Sequence, residues 1–276
     1  RKVLYLTAIA FLLLPLYYLG RPAVVGEDGA LSGGQLAQQR ADAGLSQSNI
    51  GEIDPAGEAI KLAMLGMRGV AANLLWYKAN EAKKKEDWTT AKAAAEQIAL
   101  LEPNFIGVWR FQAWNLAYNF SVEFDDYRYR YKWVKDGIRY LMKAVQYNAL
   151  DTRLFWDIGM FIARKIGRAD EHVEYRMLFR DDDEFHGNLP RRDRDNWLVG
   201  RSWFLKGVDL VDNRQVPLRG LNPLVYYSDP ALCRMNYAEM LEEDGGDDGR
   251  GVFGERAKEA WIQAAGAWEE FGNRNI

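Results

Sequence analysis

Apolar residues recur at three- and four-residue steps along most of the chain, which is the spacing of one face of an α-helix. From residue 58 the pattern predicts a first helix, the charged run 83–87 predicts its end, and Trp88 begins a second helix. Pro103 predicts the end of that helix, since proline disrupts a helix interior, and a third helix follows. The sequence lacks the sustained alternation of apolar and polar residues that a sheet needs. We therefore predict an all-α fold.

Large and small apolar residues repeat along these helices at a fixed distance. Leu75 and Ala79 of the first helix have counterparts in Trp109 and Ala113, 34 residues later. A period of 34 residues is that of tetratricopeptide repeats, in which each unit is a helical hairpin. Small residues at the second position let the paired helices approach closely. The pattern thus predicts a stack of antiparallel helical hairpins.

The later units depart from this regular length. In the second unit, SVEFDDYRYRYKW is predicted to be an insertion that delays the second helix, where Gly137 and Ala144 take small positions. A third unit opens at Phe155, 46 residues after Trp109, which is one period lengthened by a 12-residue insertion. The remaining predictions are a helix over 196–212, a proline-containing loop over 216–230, and a helical pair over 231–243 and 253–271.

Over about residues 65–165 this spacing resembles the tetratricopeptide-repeat (TPR) superfamily. The whole chain is also similar to a group of membrane-anchored proteins from planctomycete bacteria to which no activity is assigned. VAANLLWYKANEAKKKEDW and RDNWLVGRSWFLKG are among the stretches that carry this second resemblance. The superfamily implies a fold of helical hairpins in which the first helix of each unit lines a groove. The planctomycete group implies a membrane anchor and no mechanism.

The superfamily also implies which residues line the groove. Arginine and asparagine beside large aromatic residues suit a peptide, because they bind carboxylate and backbone groups while the rings bury side chains. The alternative is that these aromatic residues pack between the helices. By analogy the partner-binding groove consists of Asn73, Trp76, Tyr77, Asn80, Arg110, Trp114, Tyr118, Arg153, Trp156 and Asp157.

The first residues of the chain predict a membrane anchor. Segment 3–19 has 17 uncharged residues, preceded by Arg1 and Lys2 and followed by Arg21. A helix of that length spans about 25 Å, close to the roughly 30 Å of a hydrocarbon core. With the basic residues in the cytoplasm, the rest of the chain lies outside it. A cleaved signal peptide and a buried helix of a soluble core are the alternatives.

Changes of composition along the chain define four predicted regions. The anchor is followed by a segment rich in Gly, Ala, Gln and Ser, which is typical of a connector, with a short helix near 31–43. The regions are a transmembrane anchor over 1–25, a Gly/Ala-rich connector over 26–57, TPR-like helical repeats over 58–170, and degenerate repeat or capping helices over 171–276.

Overall composition argues against several classes of function. A single cysteine excludes an internal disulfide framework and multi-cysteine zinc or iron–sulfur sites, and two histidines leave little room for a His-rich metal centre. A net charge of −3 gives no basic surplus for nucleic acid. The sequence has no Gly-rich phosphate loop after a strand and no nucleophile elbow. We predict neither catalytic residues nor a metal site, cofactor or nucleic-acid partner.

Two acidic clusters are the chemical alternatives. The run 181–184, with His186 nearby, could hold a hard cation, although a solvated acidic turn is the commoner role of such a run. Asp125, Asp126 and Glu123 lie beside tyrosines, and glycosidases need two carboxyl groups across an aromatic cleft.

The predicted function follows from the anchor and the groove together. We expect a single-pass membrane protein whose helical domain is extracytoplasmic (periplasmic) and acts as a scaffold or accessory subunit. Its predicted partners are proteins of a larger membrane assembly, and a homo-oligomer is compatible with this. One alternative is a cell-envelope glycan-binding or glycan-processing protein that uses the aromatic groove and acidic residues. Another is an accessory subunit of a respiratory or photosynthetic complex.

Overall fold

The computed structural model describes residues 68–101, 103–243 and 254–276, together with a few positions before residue 68. This part of the chain is almost entirely helical, which confirms the all-α prediction. None of its helices is both long enough and apolar enough to cross a membrane. The predicted anchor lies outside the described residues apart from single positions, so it stays a prediction.

The helices follow one another with short connections. Ahead of them, strands β1 (Val24–Val25) and β2 (Leu31–Ser32) pair antiparallel, so a strand stands where the short helix near 31–43 was predicted to begin. The helices of the described part are α1 (Arg68–Lys84), α2 (Trp88–Leu101), α3 (Ile106–Trp114), α4 (Tyr127–Tyr147), α5 (Thr152–Met160), α6 (His172–Arg180), α7 (Asp183–His186), α8 (Asn196–Asp212), α9 (Pro223–Glu243) and α10 (Glu255–Gly272).

Helices α1 and α2 form the first hairpin, and its turn lies where the sequence predicts it. Helix α1 ends at Lys84, and Glu86 then takes a left-handed backbone conformation with φ of 58°. The Asp87 side chain accepts a hydrogen bond from the backbone N–H of Thr90, which caps the start of α2. Trp88 is the first residue of α2, as predicted.

The structure of the second hairpin shows that the predicted insertion is wrong in its second half. Helix α3 continues as a π-helix over Asn115–Phe120 and a 3-10 turn over Ser121–Glu123. The Asp126 side chain then accepts the backbone N–H of Arg128 and caps α4. Residues 127–133, predicted as part of an insertion, are the first two turns of this helix. The extra length of the unit lies in the π-helix, the turn and a long α4.

Gly137 sets how closely α4 approaches the preceding helix. A Cβ atom at this position would lie 2.8 Å from the carbonyl oxygen of Ala113 and 3.1 Å from the Cβ of Ala117. Both contacts are tighter than ordinary van der Waals separation, and the carbonyl belongs to the backbone. The small residues of the repeat pattern therefore have the packing role that the sequence predicts.

We expect Gly137→Ala to lower the free energy of unfolding by about 1–3 kcal/mol, because the added methyl group forces two backbones apart. The helix propensity of alanine, worth about 1 kcal/mol, opposes this loss. Urea denaturation of the chain in mild detergent, followed by circular dichroism, measures it. Gly266→Ala is the matched control, since nothing lies within 4 Å of a Cβ there. Equal stability changes in the two variants would contradict close packing at Gly137.

The third pair consists of α5 and α8. Helix α5 continues as a second π-helix over Phe161–Lys165 and packs against α8, whose bounds agree with the predicted helix over 196–212. A Cβ at Gly159 would meet the ring of Phe204 at 2.8 Å, so this small residue of the third unit also serves close packing. The short helices α6 and α7 occupy the segment between α5 and α8.

Helices α9 and α10 form the last pair. The loop predicted over 216–230 is wrong in its second half, because α9 begins at Pro223 and continues through Pro230. Proline is tolerated in a first helical turn, and the Asn222 side chain caps that turn by accepting the N–H of Leu224. Pro230 is buried inside the helix, so tertiary packing outweighs its low helix propensity there.

Consecutive helices pack against one another from α1 to α5, and α5, α8, α9 and α10 continue the series. The largest group of buried apolar residues extends from α1 to α6, and Trp109 in α3 is one of its largest fully buried side chains. Smaller groups join α8 to α9 and α9 to α10. The described chain is thus a row of helical pairs, in which α1, α3, α5 and α9 are the first helices.

Candidate functional site

The first helices of neighbouring pairs expose large aromatic side chains. Tyr77 on α1 is 68% exposed, and Phe111 and Trp114 on α3 are 52% and 45% exposed. Trp76 packs on Phe111 with ring centroids 5.5 Å apart, so α1 and α3 are joined through rings. We call Trp76, Tyr77, Phe111 and Trp114 the aromatic surface. Exposed apolar side chains of this size, when several come together, mark interaction sites.

Trp114 is supported from within the fold. Its ring stacks on Tyr118 at a centroid distance of 4.0 Å and an interplanar angle of 13°. Phe161 of the second π-helix meets both rings edge-on. Burial raises the pKa of Tyr118 to about 12, against the opposing effect of Arg164, so its hydroxyl stays protonated. The exposed Trp114 ring is therefore held in place by its contacts with Tyr118 and Phe161.

Two π-helices occupy equivalent places next to this stack. Asn115–Phe120 follows α3 and Phe161–Lys165 follows α5, and they begin 46 residues apart, the same distance as Trp109 and Phe155. A π-turn widens a helix by one residue, redirects its side chains and often marks a functional site. The first of these segments supplies Tyr118 to the stack.

An ionic cluster joins α3 to α5 beside the aromatic surface. Arg110 of α3 forms an ion pair with Asp157 of α5, and the Nε of Arg153 lies 3.6 Å from the same carboxylate. Burial raises the pKa of Asp157, and Arg110 and Arg153 oppose that rise. Two guanidinium groups thus share one buried carboxylate, which leaves a surplus of positive charge.

A second buried carboxylate joins α5 to α9. Asp229 accepts a hydrogen bond of 2.7 Å from the indole N–H of Trp156 and forms an ion pair with Arg164. Burial raises the pKa of Asp229, and Arg164 is the first of the groups that oppose this. The Asp229 carboxylate therefore binds two side chains of α5 and the π-helix that follows it, those of Trp156 and Arg164.

Lys165 is a further positively charged group of this region, with Glu171 and Asp170 near it. Its ammonium nitrogen lies 4.6 Å from the centroid of the Tyr118 ring, a cation–π contact. Burial lowers the pKa of Lys165, the nearby Glu171 raises it, and Arg130 lowers it further. The Glu171 carboxylate is paired with Arg130, and no carboxylate of the described residues forms an ion pair with Lys165.

The structure brings together five of the ten residues predicted for the groove, in two groups. Arg110, Arg153 and Asp157 form the ionic cluster, and Trp114 stacks on Tyr118. All five lie on the first helices of their pairs or on the π-helix that follows α3. Their role in binding stays a prediction.

The other five predicted groove residues lie outside these two groups. Tyr77 and Asn80 are exposed on α1, whereas Trp76 and Trp156 are half-buried between helices, as the packing alternative expects. The side chain of Asn73 lies outside the described residues.

Sequence analysis missed five residues of this region: Phe111, Phe161, Arg164, Lys165 and Asp229. Phe111 directly follows Arg110, and the α5 residues continue the helical spacing of Arg153 and Asp157, so an extended helical face would have found them. The π-turn shifts the register by one residue at that point. Asp229 lay in a segment predicted as a loop, and only tertiary contacts reveal its role.

Of the carboxylates predicted for a glycan-processing site, Asp126 has a structural role. Asp126 caps α4 and lies 3.7 Å from the guanidinium of Arg128, while Asp125 and Glu123 are exposed in the preceding turn. The ion pairs beside the aromatic surface are instead formed by Asp157 and Asp229. No pair of carboxylates among the described residues is thus seen to face the aromatic surface free of basic partners.

The acidic run 181–184 is likewise engaged in local structure. Asp182 caps α7 and lies 2.8 Å from the Nζ of Lys135, and the ring of His186 contacts the carbonyl of Phe179 at 2.7 Å. The structure shows no cluster of three or more potential metal ligands among the described residues. Further ion pairs of the run join Asp181 to Arg191, Asp183 to Arg194, and Glu184 to both Arg139 and Lys135.

Comparison of the chain with protein-family models, with curated proteins and with solved structures finds no significant match.

Proposed function

We propose that this chain is a membrane-anchored, extracytoplasmic scaffold or accessory subunit that binds a partner protein within a larger membrane assembly. The observation that carries the proposal is the aromatic surface. Three large rings, those of Tyr77, Phe111 and Trp114, are exposed on consecutive first helices. Aromatic side chains on a supported surface are typical anchors of protein interfaces, where burying them contributes much of the binding energy.

The packing within successive helical pairs supports this proposal. Two successive pairs repeat the same packing, with Gly137 of α4 against Ala113 and Ala117 in the second pair and Gly200 of α8 against Gly159 and Ala163 in the third. Repeat proteins of this kind use the surface of their first helices to bind extended partners. A stack of pairs is thus suited to holding a protein segment along several helices at once.

The charged groups beside the aromatic surface favour binding over catalysis. Asp157 and Asp229 are buried and paired with arginines, so they are poorly placed to transfer protons to a substrate. Arg110 and Arg153 instead offer donors to carboxylate or carbonyl groups of a ligand.

Glycan binding is the second candidate, and the stack of Trp114 on Tyr118 favours it. A flat, supported ring suits the apolar face of a sugar, and such a site needs no catalytic carboxylates. The capping role of Asp126 argues for binding rather than hydrolysis if the ligand is a glycan.

Extraction of native membranes in mild detergent, affinity capture of the chain, size exclusion and mass spectrometry test the proposal. We expect a partner protein at a fixed molar ratio with the unmodified chain and with Tyr129→Ala, which removes an exposed ring from α4. The Phe111→Ala/Trp114→Ala variant should lose that partner. A lone chain in every case would overturn the scaffold proposal, and glycan arrays would then test the second candidate.

A further inference from the structure

We infer that the bound partner segment is acidic and aromatic: one of its rings stacks on Trp114, and a neighbouring carboxylate pairs with Lys165. This inference rests on the proposed function and names the chemistry of the partner. It is carried by the juxtaposition of three groups on adjacent helices: the exposed Trp114 ring, the half-buried Tyr118 ring on which it stacks, and the ammonium of Lys165, which forms no ion pair with a carboxylate of the described residues.

Tyr118 connects the two binding groups. Its ring centroid lies 4.0 Å from that of Trp114 and 4.6 Å from the ammonium nitrogen of Lys165, so the exposed ring and the charge contact the same side chain. Trp114 is 45% exposed, whereas the Tyr118 ring on which it stacks is half-buried. A ligand ring that stacks there extends an existing aromatic pair and buries apolar area that the free protein leaves in water.

The charges around this stack favour an anion. Among the described side chains near it, basic groups outnumber carboxylates, and each carboxylate except the exposed Asp170 already has a basic partner. Lys165 is half-buried and forms no ion pair with a carboxylate of the described residues, so an incoming carboxylate meets a partly desolvated cation. The basic residues are Arg110, Arg130, Arg153, Arg164 and Lys165; the acidic residues are Asp157, Asp170, Glu171 and Asp229.

A protein segment fits this surface better than a lipid or a polysaccharide. The exposed rings of Tyr77, Phe111 and Trp114 are distributed over two helices. Different side chains of one peptide segment can therefore each contact one of them. Arg110 is fixed by its pair with Asp157 at the edge of the same surface. Discrete anchors with fixed polar groups between them are the pattern of a peptide-binding face.

Selection from a display library of short random peptides tests this inference. The full chain in mild detergent is the bait, and the Trp114→Ala/Lys165→Gln variant removes peptides that bind elsewhere. We expect the enriched peptides to share an aromatic residue and an Asp or Glu at a constant spacing. In fluorescence anisotropy, replacing either residue in the peptide should weaken binding at least about tenfold, the effect of losing one good contact.

Matched variants separate binding from folding. Tyr129→Ala/Lys132→Gln removes an exposed ring and cation from α4 and should bind the selected peptides unchanged. Lys165→Arg keeps the charge and should retain most of the affinity that Lys165→Gln loses. Thermal unfolding of each variant shows whether the fold is intact.

Enrichment of basic or uncharged peptides, or no enrichment, would overturn the inference. So would binding of phosphatidylglycerol vesicles or polygalacturonate that requires Trp114 and Lys165, because the occupant would then be a lipid or a glycan. A native partner that the Trp114→Ala/Lys165→Gln variant retains would overturn the inference alone and leave the proposed function standing. The absence of any native partner would instead be a failure of the proposed function.

Discussion

Trp109→Ala is expected to lower the free energy of unfolding by about 3–5 kcal/mol, the usual cost of removing a large buried ring. Trp109 is only 1% exposed, and its ring packs against Tyr140 at 4.8 Å and Tyr147 at 5.6 Å. Its indole N–H also donates to the carbonyl of Pro103, 2.9 Å away, which ties α3 to the preceding turn. The variant leaves a cavity between α3 and α4 and an unpaired carbonyl.

Trp114→Ala provides the matched control for that variant. It removes the same side chain from the same helix, but Trp114 is 45% exposed, and we expect a loss of about 1 kcal/mol from its aromatic contacts. Chemical denaturation of both variants in the same detergent compares them. Similar losses would contradict the division of α3 into a buried core face and an exposed aromatic face.

Asp229→Ala is expected to lower the free energy of unfolding by about 2–4 kcal/mol. The change removes the buried carboxylate that accepts the Trp156 indole N–H and pairs with Arg164, so both groups lose their partner. The loss stays below that of a fully buried pair because the Arg164 side chain is 34% exposed and water screens its charge. Chemical denaturation followed by circular dichroism measures the effect.

Asp229→Asn separates the two contacts. The amide oxygen still accepts the indole N–H of Trp156, while the charge opposite Arg164 is lost, so we expect a loss of about 1–2 kcal/mol. If Asp229→Ala left the free energy of unfolding unchanged, that result would contradict the role of this carboxylate in joining α5 to α9.

Many helix bounds and turns could be predicted from the sequence because they depend on residues that are close together along the chain. The turn at residues 83–87, the start of α2 at Trp88 and the helix over 196–212 follow from caps, charges and apolar periodicity, which are properties of neighbouring residues. The small residue Gly137 was also found, because close approach of two helices leaves a repeated signal in the sequence.

Features that depend on tertiary contacts were missed. The π-helices insert a residue without changing the apolar pattern enough to reveal it, and they absorb part of the length that was predicted as an insertion. Pro230 argues locally for a loop, yet packing keeps it inside α9. In the candidate site, the superfamily resemblance pointed to Arg110, Trp114 and Asp157, which lie on α3 and α5, but the distant Asp229 has no signal in local sequence.

Photo-crosslinking from position 114 in native membranes tests the central claim most directly. Replacement of Trp114 with benzoylphenylalanine keeps an aromatic group on the exposed surface and forms a covalent bond with whatever touches it. The same substitution of Tyr129 on α4 is the control. We predict one discrete protein adduct from position 114, which mass spectrometry identifies, and no such adduct from position 129. No protein adduct from position 114, or the same adducts from both positions, would contradict the claim that this surface binds a partner protein.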